Sequence, residues 1–179
     1  MGKLVFEMDF AVIARAAKII AVVGFLLPWV TYSCAGQPFA TLSGVELATG
    51  QFTVHGTANG PPEHHSVSPN LWLIAALVVI GLGLLGGLIV KGTTALNLMM
   101  ASSLSALALS FGGMQVAHDR DQHQVSINAA QQLDQATLAA IQIDNRYGYY
   151  ITLFALAGAA GVCVLSLAVA RARAPPDRP

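Results

Sequence analysis

Leu71 to Val90 is a run of twenty residues without a charge, built only from apolar side chains and glycine. A helix of that length rises ~1.5 Å per residue and matches a ~30 Å hydrocarbon core. Lipid offers no water to pair with peptide groups, so a segment crossing it must close its hydrogen bonds internally, as a helix does. Two further runs read the same way: Ala95 to Met114 and Tyr147 to Ala170, whose polar positions are small hydroxyls plus Asn97. A shorter one, Ile19 to Ser33, reaches spanning length if Ala16 and Ala17 join it and Lys18 snorkels to the interface. Pro28 is expected to bend its outer end, with Trp29 and Tyr32 as interfacial aromatics. Only 10% of the chain is charged, against about a quarter in an ordinary soluble domain.

Orientation follows from the cations. Lys3, Arg15, Lys18, Lys91, Arg171, Arg173 and Arg178 fall on one side of this layout and only Arg120 and Arg146 on the other, which puts both termini in the cytoplasm. The expected fold class is an all-α membrane protein, a four-transmembrane-helix bundle with N-in, C-in topology. Its boundaries are a cytoplasmic interfacial segment (1–18), a first span (19–33), an outer loop (34–70), a second span (71–90), a cytoplasmic turn (91–94), a third span (95–114), a second outer loop (115–146), a fourth span (147–170) and a cytoplasmic tail (171–179). Leu4 to Ile13, broken by Glu7 and Asp9, predicts an interfacial helix on the cytoplasmic face and does not resemble a cleaved signal peptide. In the first outer loop, the stretches Phe39–Gly44, Val45–Thr49 and Phe52–Val54 lie between glycines and predict a small β-rich cap. In the second, Ile127, Ala130, Leu133, Leu138 and Ile141 approximate helical spacing and predict a short amphipathic helix.

The candidate chemistry is sparse. No basic block or net charge suits nucleic acid. No ionisable residue falls within the central part of a span, which argues against proton relays and ion-coupled transport by this chain alone. All five histidines lie in the outer loops, so no span offers imidazoles to a haem. His64, His65, His118 and His123 share one face with Glu63, Asp119 and Asp121, residue types that suit zinc or copper, but their spacing fits no metal motif; they are read as solvated, with no metal and no cofactor expected. Cys34 sits at the outer end of the first span and Cys163 ~24 Å down the fourth, too far apart for a disulfide. No nucleophile elbow, P-loop, paired Cys-x-x-Cys or HExxH occurs, so an enzyme and a soluble small-molecule substrate are not expected.

What remains is helix association. Gly83 and Gly87 form a GxxxG pair; Ser102 and Ala106 on the third span and Ala157 and Gly161 on the fourth repeat small residues at four-residue spacing. Such faces let backbones approach closely, replacing by van der Waals contact the hydrophobic drive that lipid removes. They serve either the chain's own bundle or a neighbouring subunit.

The layout resembles that of small four-span proteins of the claudin and tetraspan type: cytoplasmic ends, a long β-prone first outer loop, a shorter second one, and Trp29 with Cys34 where that loop begins. Claudin-like proteins carry two loop cysteines, whereas Cys34 stands alone, so the resemblance implies the layout and no junction-forming activity. The functional expectation is a non-enzymatic accessory subunit of a larger complex in the bacterial inner membrane, with other membrane subunits and the lipid bilayer as its partners. An oligomeric pore or transporter component is the second reading and an outer-face metal-binding or sensing protein the third. Reporter fusions at Thr57, Gly92 and Gln124 are expected to read outside, inside and outside; labelling of Thr57 from the cytoplasmic side overturns the topology.

Overall fold

The computed structural model describes residues 10–34, 37–54, 63–90, 92–132 and 141–173. It is mostly helical, and three helices are long and apolar enough to cross a membrane, over Leu71–Ile89, Thr93–Asp119 and Tyr147–Val169. In chain order the elements are α1 (Phe10–Leu26), β1 (Pro28–Cys34), β2 (Gln37–Ser43), α2 (Gly44–Thr49), β3 (Gln51–Val54), β4 (Glu63–Ser66), α3 (Leu71–Ile89), α4 (Thr93–Gln132), β5 (Ile141–Asn145) and α5 (Tyr147–Arg173). α3 and α4 form a tight hairpin turned at Gly92, whose φ of 74° falls in the left-handed region. α1 packs chiefly on α5, and α5 also packs on α4.

The first helix differs from its expected span. Rather than running from Ile19 to Ser33 behind an interfacial segment, α1 begins by Phe10 and ends at Leu26, and Pro28–Cys34 is a strand. The physical reason is local. Proline lacks the amide hydrogen a helix needs and turns the preceding residue away from helical geometry, and Val30, Thr31 and Tyr32 favour extended backbone. Residues 10–18 are thus the first half of α1, which carries Arg15 and Lys18 into the helix; residues 1–9 of the expected interfacial segment, and 174–179 of the tail, lie outside the described residues.

β1 is the middle strand of a three-stranded antiparallel sheet ordered β2-β1-β5, with Tyr32 opposite Ala40 on one side and Ile143 on the other. β3 and β4 make a separate antiparallel pair with Phe52 opposite His65. Val45–Thr49, expected to be extended, is helical. Ser43 caps it: its hydroxyl accepts from the Glu46 amide at 3.2 Å while the Glu46 carboxylate accepts from the Ser43 amide at 2.7 Å. Gly50 closes it with a φ of 73°, its amide donating to the Glu46 carbonyl at 2.8 Å.

The expected short amphipathic helix of the second outer loop is, as far as Gln132, the continuation of α4; Leu133 and Leu138 lie outside the described residues, and Ile141 belongs to β5. No proline or glycine between Met114 and Gln132 stops the helix, so it runs past the apolar stretch.

Where strands meet helices, the polar groups are consumed in stitching. Trp29 is fully buried between Phe25 and Tyr149, and its indole nitrogen donates to the Gly24 carbonyl at 2.9 Å. The Arg146 amide donates to the Trp29 carbonyl at 2.7 Å, and its guanidinium Nε to the Thr31 hydroxyl at 2.9 Å. Asn70 caps α3 by accepting from the Trp72 and Leu73 amides, donates its side-chain nitrogen to the Gly113 carbonyl of α4 at 2.8 Å, and donates its own amide to Ala48 of α2 at 2.9 Å. One residue, through its side chain and its amide, thereby joins three elements.

Candidate functional site

α1 places Arg15 and Lys18 three residues apart, hence on one face. Opposite them α3 offers Gly83 and Gly87, which share a face by the same geometry. Lys18 is fully buried, and its ammonium donates to the hydroxyl of Ser102 on α4. Ser102 passes the bond on, donating to the Met99 carbonyl at 3.0 Å; Ser103 donates to the same carbonyl at 2.7 Å. One turn away, the Arg15 guanidinium donates Nη2 to the Gly87 carbonyl at 2.6 Å, while its Nε is buried without a partner. Cys163 of α5, buried and free, closes the far side against Ala14 and Met99.

The two glycines make room for different neighbours. A Cβ at Gly83 would collide with the Lys18 ammonium and the Ser102 hydroxyl, and one at Gly87 would stand 2.8 Å from the Met99 sulfur. Gly83 therefore seats the lysine, whereas Gly87 admits Met99 of α4 and offers its carbonyl to Arg15. Ser102 and Ala106 are buried in the same interior. Ala157 and Gly161 are different: both face outward, with nothing within 4 Å of a Cβ at Gly161.

Lys18 is the residue the sequence reading misplaced. At the edge of a short span it snorkels to water; in a helix that begins at or before Phe10 it lies ~12 Å along the axis and turns inward. The interior of the packed helices therefore does contain an ionisable group. The signal available in the sequence was the i, i+3 spacing of Arg15 and Lys18 within an otherwise apolar segment ending at Pro28, which marks a helix face.

The histidines give no comparable cluster. His118 is exposed on α4, the side chains of His64, His65 and His123 lie outside the described ones, and among the described residues no three of His, Cys, Asp or Glu come together.

Three helices long and apolar enough to cross a membrane point to a membrane protein. Compared with protein-family models and with curated proteins, the chain gives no match.

Removing a buried charge together with its need for a partner is often neutral or stabilising, whereas filling a tight glycine seat strains the packing. Lys18→Met is accordingly expected to leave thermal stability in detergent unchanged or raised. Gly83→Leu is expected to lower it by about 1–3 kcal/mol or to prevent accumulation. A Lys18→Met variant less stable than Gly83→Leu contradicts the seat.

Proposed function

We propose that this chain is a non-enzymatic accessory subunit of a larger complex in the bacterial inner membrane, spanning it four times with both termini in the cytoplasm. α1 serves as the fourth crossing helix. Its seventeen residues reach ~25 Å, its cations turn inward, and Ile19, Ile20, Val23 and Leu26 are left exposed for lipid. The cation asymmetry of the sequence supports the orientation.

The observation that carries the partner reading is the outward side of α5. While its other side packs on α1 and α4, Ala157, Gly158 and Gly161 are exposed, and nothing lies within 4 Å of a Cβ at either glycine. Phe154, Val164 and Leu165 are exposed on the same side of the helix. α4 adds a second outward line, Asn97, Ala101 and Ser105, also at four-residue spacing. An amide and a hydroxyl directed away from the packed interior gain more from a polar neighbour than from a lipid chain, and small residues admit a neighbouring backbone. The occupant proposed is a transmembrane helix of another subunit. The pore reading loses support because the polar residues of the third span, Asn97, Ser102, Ser103, Ser105 and Ser110, do not line one open face: Ser102, Ser103 and Ser110 are buried among the helices while Asn97 and Ser105 face outward.

The test is co-purification in mild detergent. Gly158→Leu with Gly161→Leu points away from the packing among the described residues, so the protein is expected to accumulate normally and lose its partners. His64→Ala with His65→Ala is expected to keep them. Retention of partners by the α5 variant contradicts the reading. A wild-type protein that purifies alone and conducts ions in sealed vesicles replaces it with the pore.

A further inference from the structure

Two buried or half-buried cations one turn apart, with only neutral acceptors among the described residues, form an incomplete electrostatic arrangement. Lys18 has the Ser102 hydroxyl, and Arg15 has the Gly87 carbonyl and a buried Nε without a partner. Neither forms an ion pair among the described residues. The carboxylates with described side chains, Glu46, Asp119 and Asp144, belong to the other end of the molecule, where α2, β5 and the far half of α4 lie. Burying positive charge without an anion is costly, and a guanidinium is built to hold a planar or tetrahedral oxyanion through paired donors.

Depth decides which anion can arrive. Gly87 is two residues from the end of α3 at Ile89, so the Arg15 guanidinium sits within ~3 Å, along the helix axis, of the end of an apolar span. That is the level at which hydrocarbon gives way to headgroups. Arg15 is half-buried and so reaches the surface, while Lys18 lies one turn deeper and adds its charge from behind. A basic pocket between transmembrane helices at the cytoplasmic surface is a general receptor for lipid phosphate.

The geometry points to a phosphate-binding seat at the turn end of the helices: the phosphate of an anionic phospholipid headgroup lies on Arg15, with Lys18 contributing charge from the interior. The inference rests on α1 being a crossing helix and is independent of the partner proposed for α5. The seat would hold lipid at the edge of α1, α3 and α4 and so fix the first helix against the hairpin.

The full chain, purified in neutral detergent and placed in phosphatidylcholine nanodiscs containing graded phosphatidylglycerol, is read by native mass spectrometry for retained lipid. Wild type is expected to retain phosphatidylglycerol over phosphatidylcholine. Arg15→Gln is expected to weaken retention by about tenfold, the loss of a charge-assisted hydrogen bond. Arg15→Lys restores part of it, which separates lost charge from lost folding, and Arg171→Gln leaves it unchanged. Equal retention of the two lipids, or undiminished retention by Arg15→Gln, overturns the seat. Stripping of the lipid by millimolar inorganic phosphate assigns the seat to the free anion and contradicts the lipid. Lipid retention intact in the Gly158→Leu, Gly161→Leu variant after its partners are lost leaves the seat standing, whereas retained partners with no selective lipid sink the seat alone.

Discussion

The hydrogen bond from the Lys18 ammonium to the Ser102 hydroxyl, over the bare backbone of Gly83, is the contact on which the arrangement of α1 depends. α1 has extensive contact with α5 but little with the α3–α4 hairpin. On that second side its polar ties are Lys18 to Ser102 and Arg15 to Gly87. A buried ammonium is costly without an acceptor, so the lysine demands Ser102 at that position and demands a glycine opposite. The same residues that make α3 a close-packing helix thus also make it a receptacle for charge.

The two ends of the molecule are built on different chemistry. At the sheet end, Trp29, Asn70 and Arg146 donate to backbone carbonyls and to the Thr31 hydroxyl, tying strands to helices, with these acceptors at 2.7–2.9 Å. At the turn end, among the described residues, Lys18 and Arg15 meet only neutral acceptors, and the Arg15 Nε meets none. A satisfied network specifies one geometry; a half-satisfied one leaves capacity for a further group. Stability and binding capacity are in this way assigned to opposite ends of the same helices.

The long apolar helices were legible from the sequence because nothing but a helix satisfies twenty successive apolar residues in lipid, as Leu71 to Val90 shows. The first helix was not. Pro28 and the residues after it bias the chain locally toward extended backbone, but Leu27 to Ser33 is also apolar enough to extend a span, and the pairing of β1 with both β2 and β5, the latter more than a hundred residues away, is not visible in the local pattern. The α2 capping box was readable in Ser43-Gly44-Val45-Glu46, yet its β-branched and glycine neighbours favoured a strand. Gly83 and Gly87 were legible as a small-residue pair, but that Gly83 seats Lys18 and the Gly87 carbonyl receives Arg15 depends on the register of α1 against α3, which no local pattern encodes. Ala157 and Gly161 carry the same spacing and face outward, so the motif identifies a close-approach face without saying what approaches it.

A double-mutant cycle between Lys18 and Ser102 tests the central contact directly. If the ammonium is held by that hydroxyl, Ser102→Ala strands a buried charge in the wild-type background and costs about 1–3 kcal/mol, yet is nearly neutral beside Lys18→Met, giving a coupling energy of that size. Stabilities from reversible unfolding of the four proteins in mixed detergent supply the cycle. A coupling indistinguishable from zero would mean that Lys18 reaches water instead, and that α1 is not anchored on the hairpin through this bond.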